Sequence, residues 1–270
     1  MDERLKALNQ ETRDIWNQNA TFWDNYIGPE GNEFHRTLVS PAVELLLALQ
    51  PDELVLEIAC GNGQFARRMA ELDAKVVATD FSDVFIERAK QRTTIHQERI
   101  VYQVVDATDV EQLLALGVQR FDAAVCNMGI MDMATIEPMA AGLSHLLKPS
   151  GRFVFAVCHP CFNSTGIKKV VEEEDRNGVL VTTHAVKVSR YLSSSVGKGL
   201  GIIGQPTPHY YFDRPISLIL NTFFQEGFVL DGIEEPAFDG TGEARRAFSW
   251  SNYSEIPPVL ATRMRPTVRY

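Results

Sequence analysis

The chain has no cluster of Lys and Arg, and its 35 acidic residues outnumber 26 basic ones for a net charge of −9. Phosphate backbones and anionic lipid surfaces are gripped by concentrated positive charge, so neither nucleic acid nor membrane is expected as a partner. No apolar stretch reaches the roughly 20 residues that span a bilayer. The opening MDERLKALNQETRDIW lacks the apolar core of a secretory signal. Cysteine is scarce. Cys60, Cys126, Cys158 and Cys161 are too few for a disulfide scaffold, and reduced thiols in the cytoplasm are the expectation. Cys158 and Cys161 stand in CHPC, but no second Cys/His pair at zinc spacing accompanies them. Pro160 follows an extended run where a redox CxxC would open a helix, so no metal site is expected. The Tyr-x-x-x-Lys pair that would suit hydride chemistry is also missing.

What is present is a regular alternation. Residues 3–25 carry a helical apolar pattern through Leu5, Leu8, Ile15, Trp16, Phe22 and Trp23. GPEGN at 28–32 interrupts it, and SPAVELLLAL reads as a helix with Ser40 as N-cap and Pro41 at the first position. From residue 54, LVLEIA, KVVATD, IVYQVVDA, FDAAVCNM and RFVFAVCH read as strands separated by helices at 64–72, 83–91, 109–116 and 135–147. Near-continuous apolar strands imply a parallel sheet covered on both faces, wound with right-handed crossovers. Later, Asn177-Gly178 lies between two extended segments as a hairpin signal. GKGLGIIGQPTP is a connector, RPISLILNTFFQEG a helix closed by Gly227, and FVLDGIEEP and PPVLATRMRP two further strands. The expected fold is therefore α/β, a doubly wound, seven-stranded, mostly parallel sheet. Residues 1–50 would form a helical cap, 51–158 a ligand-binding core, 159–225 a substrate-facing insertion or lid with a helix, and 226–270 the closing antiparallel strands.

In such sheets ligands bind at the carboxyl ends of the strands. Glu57, Asp80, Asp106 and Asn127 stand at four successive strand ends, beside a loop with Gly61 and Gly63. A single polar residue there is often a turn former; four at equivalent places beside a glycine loop point to a ligand. GNGQFA fits the GxGxxA spacing of dinucleotide sites, and Asp80 is well spaced to hold a ribose diol. Glu57 separates the candidates. A carboxylate ahead of the loop repels a pyrophosphate but suits S-adenosylmethionine, which carries an ammonium, a sulfonium, a ribose and an adenine and no phosphate. Glu57 would face the amino-acid end, Gly61 and Gly63 would allow close backbone approach, Asp80 would take both ribose hydroxyls, and Asp106 would accept from the adenine amine.

At these residues the sequence resembles the class I S-adenosylmethionine-dependent methyltransferases. VLEIACGNG is similar to the first motif, which extends the cofactor role to Ala59, Cys60, Gly61, Asn62 and Gly63. VVATDFS resembles the ribose-binding strand end, with Asp80, Phe81 and Ser82. VVDATD resembles the adenine end, with Asp106, Ala107 and Thr108, and FDAAVCNMGIMDM the fourth motif, with Asn127 and Met128 at the methionine end. The resemblance covers roughly residues 50–160, and the tail is similar to the closing strands of that fold. Ala59 replaces the family's first glycine and adds one methyl, a change that the quinone-pathway and other small-molecule members accept. The implied cofactor is S-adenosylmethionine, the implied product S-adenosylhomocysteine, and the implied acceptor a small molecule.

Methyl transfer to a hydroxyl is helped by a general base. His159, just past the fifth strand, and His209, in HYYFDRPIS, are the candidates. Tyr210 and Tyr211 would line the acceptor pocket, and Phe22 and Tyr26 would belong to a lid, whereas Trp16 reads as part of a packing stripe. Carbon or nitrogen methylation on the same scaffold, a cofactor-binding protein without transfer activity, and an NAD(P)-dependent oxidoreductase are the alternatives. A hairpin with Val179, Val181 and Val186 could pair with a second copy in a homodimer or could simply cover the cleft.

Overall fold

The computed structural model describes residues 3–241 and 246–267; the parts of the expected cap and closing segment at 1–2, 242–245 and 268–270 lie outside the described residues. A seven-stranded sheet forms the centre, in the order β10-β11-β5-β4-β1-β2-β3. Its strands are β1 (Leu54–Ile58), β2 (Lys75–Asp80), β3 (Ile100–Val104), β4 (Phe121–Asn127), β5 (Leu147–Cys158), β10 (Phe228–Glu234) and β11 (Val259–Pro266). Pairings among β1 to β5 are parallel, while β11 runs antiparallel to both its neighbours, β5 and β10. The chain reverses its winding between β1 and β4, and this switch point opens a crevice at the strands' carboxyl ends.

Burial of both sheet faces explains the apolar strands. On one face, α5 (Val110–Leu114), α6 (Glu137–Leu146) and α7 (Ile216–Gln225) press Leu113, Met139, Leu143 and Phe223 onto Phe153 and Phe155. On the other, α2 (Ser40–Leu47), α3 (Gln64–Glu71) and α4 (Asp83–Arg92) bring Val43, Leu47, Phe65, Met69 and Ile86 against Val55, Val76 and Val125. Three elements differ from the sequence-based expectation. Ser40 is not an N-cap, because the helix already runs through a π-turn at His35–Val39, and its buried hydroxyl has no partner. The HYYFD segment is a strand, β9 (His209–Asp213), paired antiparallel with β8 (Ser195–Gly199) in a separate ribbon. β5 starts at Leu147, five residues before the expected apolar run. The Asn177-Gly178 turn does join a hairpin of β6 (Ile167–Arg176) and β7 (Val179–Val188), with φ of 58° and 81° at its two residues, as a two-residue turn of this kind requires.

Helix α1 (Glu3–Ile27) lies across the carboxyl ends of the strands and turns a polar face inward, with Asn9, Thr12, Asn19 and Asp24 buried. Asp24 is its main anchor. Its carboxylate pairs with Arg88, at 2.9 Å, and with Arg92, both on α4, and accepts from Asn62 Nδ2 in the glycine loop at 3.1 Å. Burial opposes ionisation of Asp24, but the two guanidinium groups and Asn62 outweigh it and hold the carboxyl below its usual range. A depressed acid contributes stability above its unfolded value near 4 and loses it as pH falls. Asp24→Ala is therefore expected to cost about 2 kcal/mol. In the native protein α1 should detach in the acid range below about pH 4, read as a change in Trp16 and Trp23 fluorescence that the mutant shows already at neutral pH.

Candidate active site

Beneath α1, the strand ends enclose a cavity of about 770 Å³, within the usual range of roughly 300–1,000 Å³ for small-molecule sites. β1 brings Glu57 to its floor and β4 brings Asn127. Ala59, Cys60, Gly61 and Asn62 form one wall, Asp80 and Phe81 the next, and Asp106, Ala107 and Thr108 the far end. Met128 adds its side, and His209, Tyr211 and Tyr26 come from the elements above. The cavity lining does not include Gly63, Ser82, His159, Phe22 or Tyr210.

Each of those five has another task. Ser82 caps α4 by accepting from the Phe85 amide and donates to Asn17 Oδ1 on α1. His159 uses both ring nitrogens: Nδ1 accepts from the Cys161 amide at 3.1 Å and Nε2 donates to Glu235 at 2.8 Å. That arrangement locks the turn after β5. Burial lowers the His159 pKa, against the pull of Glu235. Tyr210 alternates away from His209 and Tyr211 along β9, as strand geometry demands, and donates to Glu11 on α1. Phe22 stacks on Tyr26 at 6.2 Å and faces Gly204. A Cβ on Gly63 would strike the Tyr102 hydroxyl, so the close approach there is internal packing.

The electrostatics of the cavity are one-sided. Glu57 is fully buried, and its Oε2 has no partner. Burial, opposed by Arg67 and reinforced by Asp80, pushes it up to about 8. Asp80 accepts from the Gly61 and Ser82 amides, each at 2.9 Å, yet burial still lifts it to about 6. Asp132 follows β4 in a short 3₁₀ turn; burial, with the charge of Asp80, holds it well above the carboxylate range. Asn127 Oδ1 and Asp132 Oδ1 are buried without partners. Asp106, by contrast, is fully engaged: Asn9 Nδ2 donates to it at 2.5 Å, Arg13 at 2.8 Å, and Thr108 through both its amide and hydroxyl.

Several of these residues escaped the sequence reading. Asn9 and Arg13 lie four apart on α1, a polar stripe passed over in favour of the apolar one, and Arg13 also sits 5.7 Å over the Phe81 ring. Trp16 lines the cavity with its ring 4.7 Å from His209. Asp132 sits within the FDAAVCNMGIMDM motif but carries no spacing signal of its own. Arg214 clamps the Asp132 turn by donating to the carbonyls of Ile130, Met133 and Ala134.

Residues 55–151 match the family described as a methyltransferase domain. Here lie the floor and walls of the cavity. This stretch of the chain is a methyltransferase domain. Its fold is similar to that of an S-adenosylmethionine-dependent methyltransferase from Mesorhizobium loti, with a TM-score of 0.66 and 22% identity over 83% of this chain and 96% of the other. A ubiquinone biosynthesis O-methyltransferase of Coxiella burnetii is 25% identical over 166 residues, 60% of this chain and 64% of that protein. The eEF1A lysine and N-terminal methyltransferase of Bos taurus is 23% identical over 178 residues, 63% of this chain and 25% of that one. The chain thus spans less than two thirds of the length of these curated relatives.

The two loop glycines of this methyltransferase domain separate binding from folding. Gly61 has φ +53° and open space where a Cβ would stand, whereas Gly63 has φ +72° and no space. Gly61→Ala should cost about 1 kcal/mol of stability from the left-handed backbone and weaken S-adenosylhomocysteine by more than about tenfold, because the methyl enters the cavity. Gly63→Ala should cost about 3 kcal/mol through strain and overpacking. Thermal melts and ligand titration of both variants check the contrast.

Proposed function

We propose that this protein transfers a methyl group from S-adenosylmethionine to a hydroxyl of a small molecule. The observation that carries this reading is the set of three buried oxygens without partners, Glu57 Oε2, Asn127 Oδ1 and Asp132 Oδ1, around one acidic cavity. Buried carboxylates without a cation are costly. A ligand with an ammonium and a sulfonium supplies the missing charge, and a pyrophosphate would add to the repulsion. S-adenosylmethionine would bring a methyl group whose bond to sulfur breaks with the electron pair left on sulfur. Glu57 and Asn127 would hold its amino-acid end, Asp80 the ribose hydroxyls, and Phe81 and Ala107 the adenine. The chain's remaining work is to hold the acceptor in line and exclude water, for which the roof of α1 and β9 is suited. The likeness to a ubiquinone biosynthesis O-methyltransferase supports a hydroxyl acceptor.

Calorimetric titration with S-adenosylhomocysteine and, separately, with NAD(H) tests the reading. The thioether should bind and the dinucleotide should not, and Asp80→Ala should weaken the thioether at least about tenfold. Binding of NAD(H) alone would overturn it. The pKa shifts add a signature. Glu57, at about 8, is largely protonated at neutral pH. The ammonium and sulfonium of S-adenosylmethionine favour its ionised form, so binding of that ligand at pH 7 should release a proton, and its affinity should rise between the Asp80 and Glu57 values of about 6 and 8. Titrations in buffers of different ionisation heat measure that release. Without ligand the sign reverses: a raised acid holds more protons folded than unfolded, so Glu57 makes the free protein less stable as pH rises toward 8.

A further inference from the structure

Gln205, in the loop between β8 and β9, is buried, and the orientation of its amide is set by its surroundings. Its Oε1 accepts from Trp23 Nε1 at 3.1 Å and from the Gly201 amide at 3.2 Å, two groups that can only donate. Its Nε2 donates to the Thr207 carbonyl at 2.5 Å, a group that can only accept. The same Nε2 stands 2.9 Å from His209 Nδ1, so it donates there too, and Nδ1 must carry a lone pair. The proton of the neutral imidazole is then on Nε2, which faces Asp132 Oδ1 at 4.0 Å across the cavity. His209 lies among Trp16, Trp23 and Tyr211, with ring centroids 4.7, 6.2 and 4.4 Å away. Burial there drops its pKa to about 4 and keeps it neutral.

We infer that Asp132, not His209, takes the proton of the methyl acceptor, and that His209 is a fixed N–H donor which orients the acceptor's oxygen. This rests on the methyltransferase reading above. A spacing of 4.0 Å is too long for a direct bond but lets one oxygen sit at hydrogen-bonding distance from both groups. A hydroxyl satisfies the pair completely. It donates its hydrogen to Asp132 Oδ1, which has no partner of its own. It accepts from His209 Nε2–H on one lone pair and keeps the other to form the new bond to the methyl carbon. The hydroxyl proton ends on Asp132 and leaves to water with the product. An amine has a single lone pair. Spent on His209 it cannot attack, and protonated it cannot accept, so the pair selects oxygen over nitrogen.

The groups that face Asp132 favour this role. Asp80 lies across the cavity, Cys126 and Cys158 come from β4 and β5, and Tyr211 and His209 from β9. Burial holds Cys158 up at about 12, and it likewise raises Cys126 and Tyr211, so these neighbours stay neutral. The guanidinium of Arg214 is spent on backbone carbonyls. Burial raises Asp132 above an ordinary acid, so its carboxylate, which the positive charge of the bound cofactor would favour, is a stronger base than an exposed one.

Nitrogen-15 NMR of the full chain with labelled histidine and S-adenosylhomocysteine reads the tautomer. His209 should be neutral at pH 7, with Nε2 protonated and Nδ1 bare, and Gln205→Glu, whose carboxylate can only accept, should move the proton to Nδ1. An Nδ1–H tautomer or an imidazolium in the native protein at pH 7 overturns the inference. Phenol at millimolar concentration serves as an isolated hydroxyl probe. It should shift the His209 Nε2 signal, and Asp132→Ala should weaken its affinity about tenfold; an affinity unchanged by that substitution also overturns the assignment. Failure of S-adenosylhomocysteine to bind would instead sink the cofactor reading and leave the tautomer result standing.

Discussion

Uncompensated burial of negative charge at the switch point is the constraint on which the rest of the structure depends. Glu57, Asp80 and Asp132 approach one cavity from β1, β2 and the turn after β4, where the parallel register of the sheet aligns their strand ends. Nearby cations are directed elsewhere. Arg67 donates to the Asn62 and Pro29 carbonyls, Arg88 and Arg92 hold Asp24, and Arg214 holds the Asp132 turn. The raised pKa values of Glu57 and Asp80 are the physical record of that imbalance. A fold that keeps Glu57 largely protonated at neutral pH when empty stores a preference for a positive ligand, because its ionisation and binding are then one event.

The far end of the cavity follows the opposite logic. Asp106 receives four donors, two of them from α1, and so anchors the roof. An adenine amine directed at this carboxylate must share it with Asn9 and Arg13. Phe81 and Ala107 offer apolar surface beside it, although Arg13 already stands over the Phe81 ring. Together with Asp24 at the other end of the helix, Asp106 makes α1 a lid pinned by charge at both ends and by indole rings between them.

The sheet was legible in the sequence because its signals are local. Each strand is an apolar run, each helix begins near a cap or turn, and the strand-end acids mark the ligand side without reference to distant residues. The roof was not, because its meaning comes from pairing across the chain. Asn9, Arg13 and Asp24 look like solvated polar residues until Asp106 and Arg88 are placed opposite them. HYYFD carries the alternation of a strand, but its partner β8 lies in a Gly-rich stretch that reads as a connector. That reading hid the two-residue period which sends His209 and Tyr211 inward and Tyr210 out. His159 and His209 look equivalent as loop histidines after a strand; their hydrogen-bond partners, 76 residues away for one and 4 for the other, separate them.

The roof and the acceptor side are also one hydrogen-bonded unit. Trp23 on α1 supplies one of the two donors that orient Gln205, and Asn19 holds Thr207 from both ends of its amide, donating to its carbonyl at 2.8 Å and accepting from its N–H at 3.0 Å. Thr207 in turn accepts from the Gln205 amide that faces His209. Lifting α1 therefore removes one of the two donors to the Gln205 oxygen and the Asn19 clamp on Thr207, leaving the Gly201 amide and the Thr207 carbonyl to hold the Gln205 amide. The full set of bonds that orients the His209 proton is thus completed when the roof is docked. Closure and acceptor orientation are coupled here through four side chains, with no need for a larger rearrangement of the sheet beneath them.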